Sequence, residues 1–184
     1  MNKRIILGFF AAAVALTASN AYAQFGAEPA KLNVIKVRDD IYVISNVAVP
    51  GLTTALITNE GVLLVDDKFE IDHDSIMAAL KTVTNQPVKY VINTHYHADH
   101  CWGNCFFPGA VVIGHSRCRE YLVKEGVSSL ENAQKQNPSL RQVKIVPPHI
   151  TFETGEMTLR VGKKNLIIST SPGHSDDGIS VLVE

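Results

Sequence analysis

The chain has 184 residues, with 17 Lys and Arg against 18 Asp and Glu, and 46% of its side chains are hydrophobic. That is enough apolar material for one domain with its own core. The near-neutral balance, without a basic stripe or a block of like charge, speaks against a nucleic-acid partner.

In chain order, Lys3-Arg4 is a short basic segment, Ile5 to Ala18 is an apolar run, and Ala21-Tyr22-Ala23 has the small-x-small pattern of a cleavage site. Residues 1–23 therefore read as a secretory signal peptide. The run is shorter than the about 20 residues that span a bilayer and lacks a basic flank after it. Residues 24–184 are then one domain, periplasmic or secreted, with no membrane contact after cleavage. Export places Cys101, Cys105 and Cys118 where disulfides persist, yet three is an odd number. At least one thiol is free, metal-bound or paired between chains, and Cys101 and Cys105 are near enough to bridge if their segment turns.

Val34 to Val37 and Ile41 to Ser45 look like strands separated by the polar turn Arg38-Asp39-Asp40. Leu52 to Thr58 and Val62 to Asp66 flank Asn59-Glu60-Gly61, which predicts a β-hairpin. Ile76, Ala79, Leu80 and Val83 then fall on one helical face, with Asp72 or Asp74 as cap and Pro87 as stop. The apolar run Val88 to Asn93 follows that helix, as in an α/β crossover with a buried strand.

Ala110 to Ile113 is a further buried strand. A helix from about Ser116 puts Cys118, Tyr121 and Leu122 on one face, with Gly126 at its end, and Ser128-Ser129-Leu130-Glu131 caps a second helix that Pro138 stops. Past Pro147-Pro148 come strands at Ile150 to Glu153, at Met157 to Val161 with period-two alternation, and at Leu166 to Ile168. A loop from Ser169 to Gly178 leads to a last strand, Ile179 to Val183.

The chemistry concentrates in His95-Tyr96-His97-Ala98-Asp99-His100, directly after the buried strand. Positions i and i+2 of an extended segment point the same way, so His95 and His97 can address one point. A turn after His97 lets Asp99 and His100 address a second. Neutral imidazole and carboxylate are ligands that zinc accepts, and the end of a buried strand is where α/β sheets place their sites. Catalytic zinc takes three protein ligands and leaves a position for water, so one more histidine is needed. His174 is the candidate, after Pro172-Gly173, where glycine lets the chain crowd close to a metal. His73, His115 and His149 have no such partners in the sequence.

With these residues in place the chain resembles the metallo-β-lactamase superfamily of hydrolases, whose H-x-H-x-D-H motif stands here as His95 to His100. Val91-Ile-Asn-Thr94 before it, Val62-Leu-Leu-Val-Asp66, Gly103-Asn104 and Ser171-Pro-Gly-His174-Ser are similar too. The resemblance implies that His95, His97 and His174 hold a first zinc, and that Asp99 and His100 help to hold a second. Asp99 is also the implied catalytic residue, orienting the attacking water or accepting its proton, and Asp66 orients a histidine ligand or simply turns the strand end. The implied reaction is zinc-dependent hydrolysis of a lactam, lactone, ester or thioester in a small-molecule substrate. A mononuclear iron dioxygenase on the same fold and a metal-binding fragment without activity are the alternatives.

Family members usually continue with a strand ending in Gly-Asp, whose Asp often bridges both metals, and with a later histidine. Asp176 and Asp177 lie too near His174 to take that role, and Asp177 reads as a loop or structural residue. The fold class expected is thus α+β: the αβ/βα sandwich of that family, its N-terminal half plus part of the second, truncated at the C-terminus. Cys101, directly after the motif, is either an added zinc ligand or a structural thiol.

Overall fold

In the computed structural model, which describes residues 32–45 and 51–184, the strands make two sheets. The signal-peptide segment, residues 1–23, lies outside the described residues. Strands β1 (Asn33–Lys36), β2 (Ile41–Ser45), β3 (Thr53–Thr58) and β4 (Gly61–Val65) form an antiparallel meander. To this β5 (Val88–Ile92), β6 (Val111–His115) and β7 (Ile150–Phe152) add in parallel, giving a seven-stranded sheet in sequence order. The switch occurs where the sequence changes from hairpin punctuation to a crossover helix, because parallel neighbours need a long connection. A second, antiparallel sheet has the order β10 (Ile179–Val183), β9 (Lys164–Thr170), β8 (Glu156–Val161).

Period-two alternation sends the central strands' side chains to two different cores. Val62 and Leu64, Val91 and Val112 pack against Ile76, Ala79 and Leu80 of helix α1 (His73–Lys81). Their neighbours Leu63, Ile92 and Ile113 instead meet Val161, Leu166, Ile168 and Ile179 of the small sheet. The described residues thus build an α+β stack of helices, mixed sheet and second sheet. A third cluster joins Trp102 and Cys101, from and just after the short helix α2 (Ala98–Cys101), to Cys118, Leu122, Leu130, Leu140 and Val143.

Four local expectations are corrected. Asp72 precedes α1 but makes no side-chain cap; it is buried, 3.9 Å from the Lys68 amine, which is itself buried. Helix α1 ends at Lys81, well before Pro87, because Thr82 folds back and donates its hydroxyl to the Ala79 carbonyl at 2.7 Å. Gly126 does not end a helix. Helix α3 (Ser116–Tyr121) runs through one widened turn, Leu122–Gly126, into α4 (Val127–Gln136), with Gly126 at φ −60°. A Cβ on Gly126 would make only ordinary van der Waals contact, 3.4 Å from Leu122 and 3.5 Å from Ile145, so the position behaves as a helix-interior site and not as a terminus. With the helix continuous, Ser128 has no free terminus to cap and donates to the Glu125 carbonyl at 3.0 Å.

Candidate metal centre

The site lies at the C-terminal ends of β4 and β5, where parallel strands leave a crevice. Asp66, at the end of β4, has φ +60°, a conformation Asp tolerates better than most residues. Its buried carboxylate accepts from the Thr94 amide through Oδ1 at 2.7 Å, and from the Thr94 hydroxyl through Oδ2 at 2.7 Å. Oδ2 also lies 2.7 Å from His100 Nδ1. Turn residue and partner of a motif histidine are therefore the same residue. Because the Thr94 hydroxyl spends its proton on Asp66, its oxygen is left to accept from His95 Nδ1, 3.0 Å away. That bond fixes the tautomer and leaves the His95 Nε2 lone pair free for a ligand.

His95 and His97 address one point, as their spacing predicts, and the β9–β10 loop brings His174 to it. His95 Nε2 is 3.1 Å, and His174 Nε2 2.9 Å, from His97 Nδ1. One ligand atom from each of the three lies within 4.8 Å of the others. Hydrogen bonding among the rings alone accounts poorly for this. His97 Nδ1 has a single in-plane lone pair, or a single proton, and two nitrogens face it. Two nitrogens on one tetrahedral zinc, each about 2.0–2.1 Å from it, stand about 3.3 Å apart, close to both separations. The donor set also has the right charge. Burial, then repulsion from His100, His97 and His174, pushes the His95 pKa down to about 3, and burial and His174 lower that of His97. Both are held as neutral imidazoles, the form that binds a metal.

Asp99 and His100 stand beside this trio on α2, outside the three-histidine group. His100 Nε2 is 3.4 Å from Asp99 Oδ2 while its Nδ1 faces Asp66. Burial works against a cationic His100, but the two carboxylates outweigh it and raise its pKa to about 10. Burial likewise opposes ionisation of Asp99, and the bond to His100 more than compensates, holding its carboxyl below the usual carboxylate range.

The remaining histidines are engaged elsewhere. His115 Nε2 faces the Glu153 carbonyl at 2.7 Å and its Nδ1 accepts from the Arg117 amide; His149 Nδ1 accepts from the Val112 amide; His73 packs between Phe106 and Phe107. All three cysteines are free thiols. Cys101 is buried with Sγ 3.1 Å from the Tyr96 and His97 carbonyls, and burial pushes its pKa well up, so it serves as a structural thiol behind the ligand segment. Asp177 is buried.

No protein atom lies within 4 Å of where a Cβ on Gly173 would be, so no contact among the described residues requires glycine there. Gly103, just after the motif, is one of the glycines that do matter sterically. A Cβ there would sit 2.5 Å from the Asp67 carbonyl oxygen, in the loop that carries Asp66. Gly103→Ala is expected to destabilise the fold by about 1–3 kcal/mol, the usual cost of overpacking, read as a lower urea midpoint at unchanged slope. Next to it, Asn104 and Asn93 exchange side-chain hydrogen bonds at 2.9 and 3.1 Å, and Asn93 also donates to the His100 carbonyl. This buried amide pair and Thr94 carry no ligand chemistry of their own, so only the family resemblance around Val91 to Thr94 and Gly103-Asn104, and no spacing rule, marks them in the sequence.

A mixed sheet backed by helices and faced by a second sheet, with three histidines converging at its strand ends, defines a metal-binding α+β sandwich. The chain belongs to the metallo-beta-lactamase superfamily, whose family model matches residues 48–184. Among solved structures it is similar to a metallo-beta-lactamase from Pontibacter korlensis, with TM-score 0.63 and 21% identity over 83% of this chain and 66% of that one. It is also similar to a subclass B3 metallo-beta-lactamase of Bradyrhizobium japonicum, with TM-score 0.66 and 18% identity over 89% and 60% of the two chains. A double mutant of the sec-alkyl sulfatase PisA1 matches with TM-score 0.64 and 16% identity over 83% of this chain and 29% of that one. The chain spans less than two thirds of the length of each of these three.

Proposed function

We propose that this chain is an exported zinc-dependent hydrolase that opens an activated carbonyl in a small molecule, with β-lactams favoured among lactams, lactones, esters and thioesters. The observation that carries this is the convergence of His95 Nε2, His97 Nδ1 and His174 Nε2 on one point. A zinc ion held by these three would supply a Lewis acid that activates water near neutral pH. Export favours the β-lactam class, because those drugs act outside the inner membrane; the signal-like segment Lys3 to Ala23 supports export.

The chain's own residues supply the rest. Asp99 is ionised and half-buried, able to orient the attacking water and take its proton. Thr94 and Asp66 hold His95 in the tautomer that offers Nε2. Asp99 Oδ2 and His100 Nε2 are the donors a second ion would take.

The test is metal analysis of the purified chain together with hydrolysis of a chromogenic cephalosporin, a lactone and a thioester, before and after chelation. One or more zinc equivalents and turnover that chelation removes and zinc restores are expected. Bound iron with oxygen consumption, or no bound metal, would refute the proposal. Mature protein beginning at Gln24 is expected in the periplasmic or culture fraction.

A further inference from the structure

The third histidine comes from a loop whose grip on the rest of the molecule is uneven. Its base is tight: the Ser171 amide donates to the Gly178 carbonyl at 2.8 Å, and a Cβ on Gly178 would lie 2.6 Å from the Ser171 oxygen. The Ile179 amide then donates to the Thr94 carbonyl at 3.0 Å, tying that base to the bend that leads into the motif. His174 itself is exposed at the crown, three residues from the nearer side of the base. At the crown, Asp176 Oδ1 and Oδ2 accept from the Tyr121 hydroxyl at 3.0 and 3.2 Å, and Oδ2 pairs with Arg117 Nη1. Both partners lie on helix α3, more than fifty residues away in sequence.

We propose that Asp176 is a positioning residue for His174, its carboxylate clamping the crown of the ligand loop onto Arg117 and Tyr121 of α3. This rests on the reading that the three histidines bind a metal. The same Tyr121 ring packs on Tyr96 at 4.6 Å, and Tyr96 packs on His97 at 4.6 Å. One helix thereby references both the motif ligand and the distant one, so their separation does not depend on the loop backbone alone. Arg117 and Asp176 are 55% and 47% exposed, and a pair so solvated contributes little to global stability. What it sets is the geometry of a ligand, and removing a residue that orients a ligand typically lowers metal affinity 10–100-fold.

These two consequences separate a positioning role from an ordinary surface pair. Zinc affinity is measured on the full chain by competition with a chromophoric chelator, and Co²⁺ is used as a spectroscopic probe of ligand geometry. Asp176→Ala is expected to weaken Zn²⁺ binding about 10–100-fold and to change the Co²⁺ ligand-field bands, while the metal-free melting temperature moves by no more than about 3 °C. Arg117→Ala combined with Tyr121→Phe is expected to give the same loss, and adding Asp176→Ala to that pair none further. Wild-type affinity and an unchanged Co²⁺ spectrum in Asp176→Ala overturn the clamp and leave the metal site standing. A wild-type chain that binds neither ion overturns both. A metal-free chain that unfolds when Asp176 is replaced also overturns the clamp, because the pair would then be structural.

Discussion

Replacing His97 by alanine is expected to lower zinc affinity by more than about 100-fold, beyond the loss of an orienting partner, and to abolish zinc-dependent turnover. His97 is the member of the trio that both others approach, at 3.1 and 2.9 Å, so its removal leaves His95 and His174 without the nitrogen that joins them. The fold is expected to survive. His97 precedes α2 without a side-chain capping bond and is only half-buried, so no backbone donor is orphaned when the ring is lost. The metal-free variant should therefore unfold at or slightly above the wild-type urea concentration, since crowded imidazoles are relieved of one neighbour. His149→Ala is the matched control. That ring is exposed and spends Nδ1 on the Val112 amide, so zinc affinity should not move. Chelator competition and turnover on the same preparations measure both effects, and full metal content with undiminished turnover in His97→Ala would refute the site.

Much of the architecture was legible because its signals are local. The β3–β4 hairpin follows from Asn59-Glu60-Gly61 between apolar runs, and the parallel strands follow from continuous apolar segments spaced by a helical pattern. The convergence of His95 and His97 was legible from their i, i+2 spacing, although the segment that presents them, residues 94–96, is a bend and not the extended strand expected. Where the outcome depends on a distant contact, local rules fail. Gly126 reads as a stop signal, yet its backbone at φ −60° carries the helix straight on into α4. Gly173 and Gly103 are indistinguishable in sequence, and only the fold puts Asp67 against the second. Asp66 meets Thr94 and His100 across 28 and 34 residues, and Asp176 meets Tyr121 across 55, separations at which no spacing rule operates.

Asp66→Asn is expected to carry the largest stability effect of any conservative change in the site, and the effect should depend on pH in a way that identifies its cause. Asparagine tolerates the left-handed backbone at φ +60° and keeps the shape of the side chain, so neither strain nor a cavity is introduced. The Thr94 amide retains an acceptor in the remaining oxygen. What is lost is the Oδ2 acceptor of the Thr94 hydroxyl and the charge facing His100 Nδ1 at 2.7 Å, and breaking a buried ion pair by removing one partner costs about 3–5 kcal/mol. The sign follows from linkage. Burial alone would depress the His100 pKa, but Asp66 and Asp99 raise it from 6.5 to about 10, so the folded state holds a proton that the unfolded state releases in between. The stabilisation is complete below pH 6.5 and is lost as the pH rises through 10. The wild-type advantage over Asp66→Asn should accordingly be greatest at or below neutral pH and shrink by about pH 10.5 to the pH-independent share of the Thr94 hydroxyl bond. Taking the difference between the two proteins at each pH cancels the other groups that titrate over the same range. Urea unfolding of the metal-free proteins at pH 6, 8 and 10.5 measures it. A gap that stays constant across that series would show that Asp66 acts through the Thr94 hydrogen bonds and not through the charge on His100.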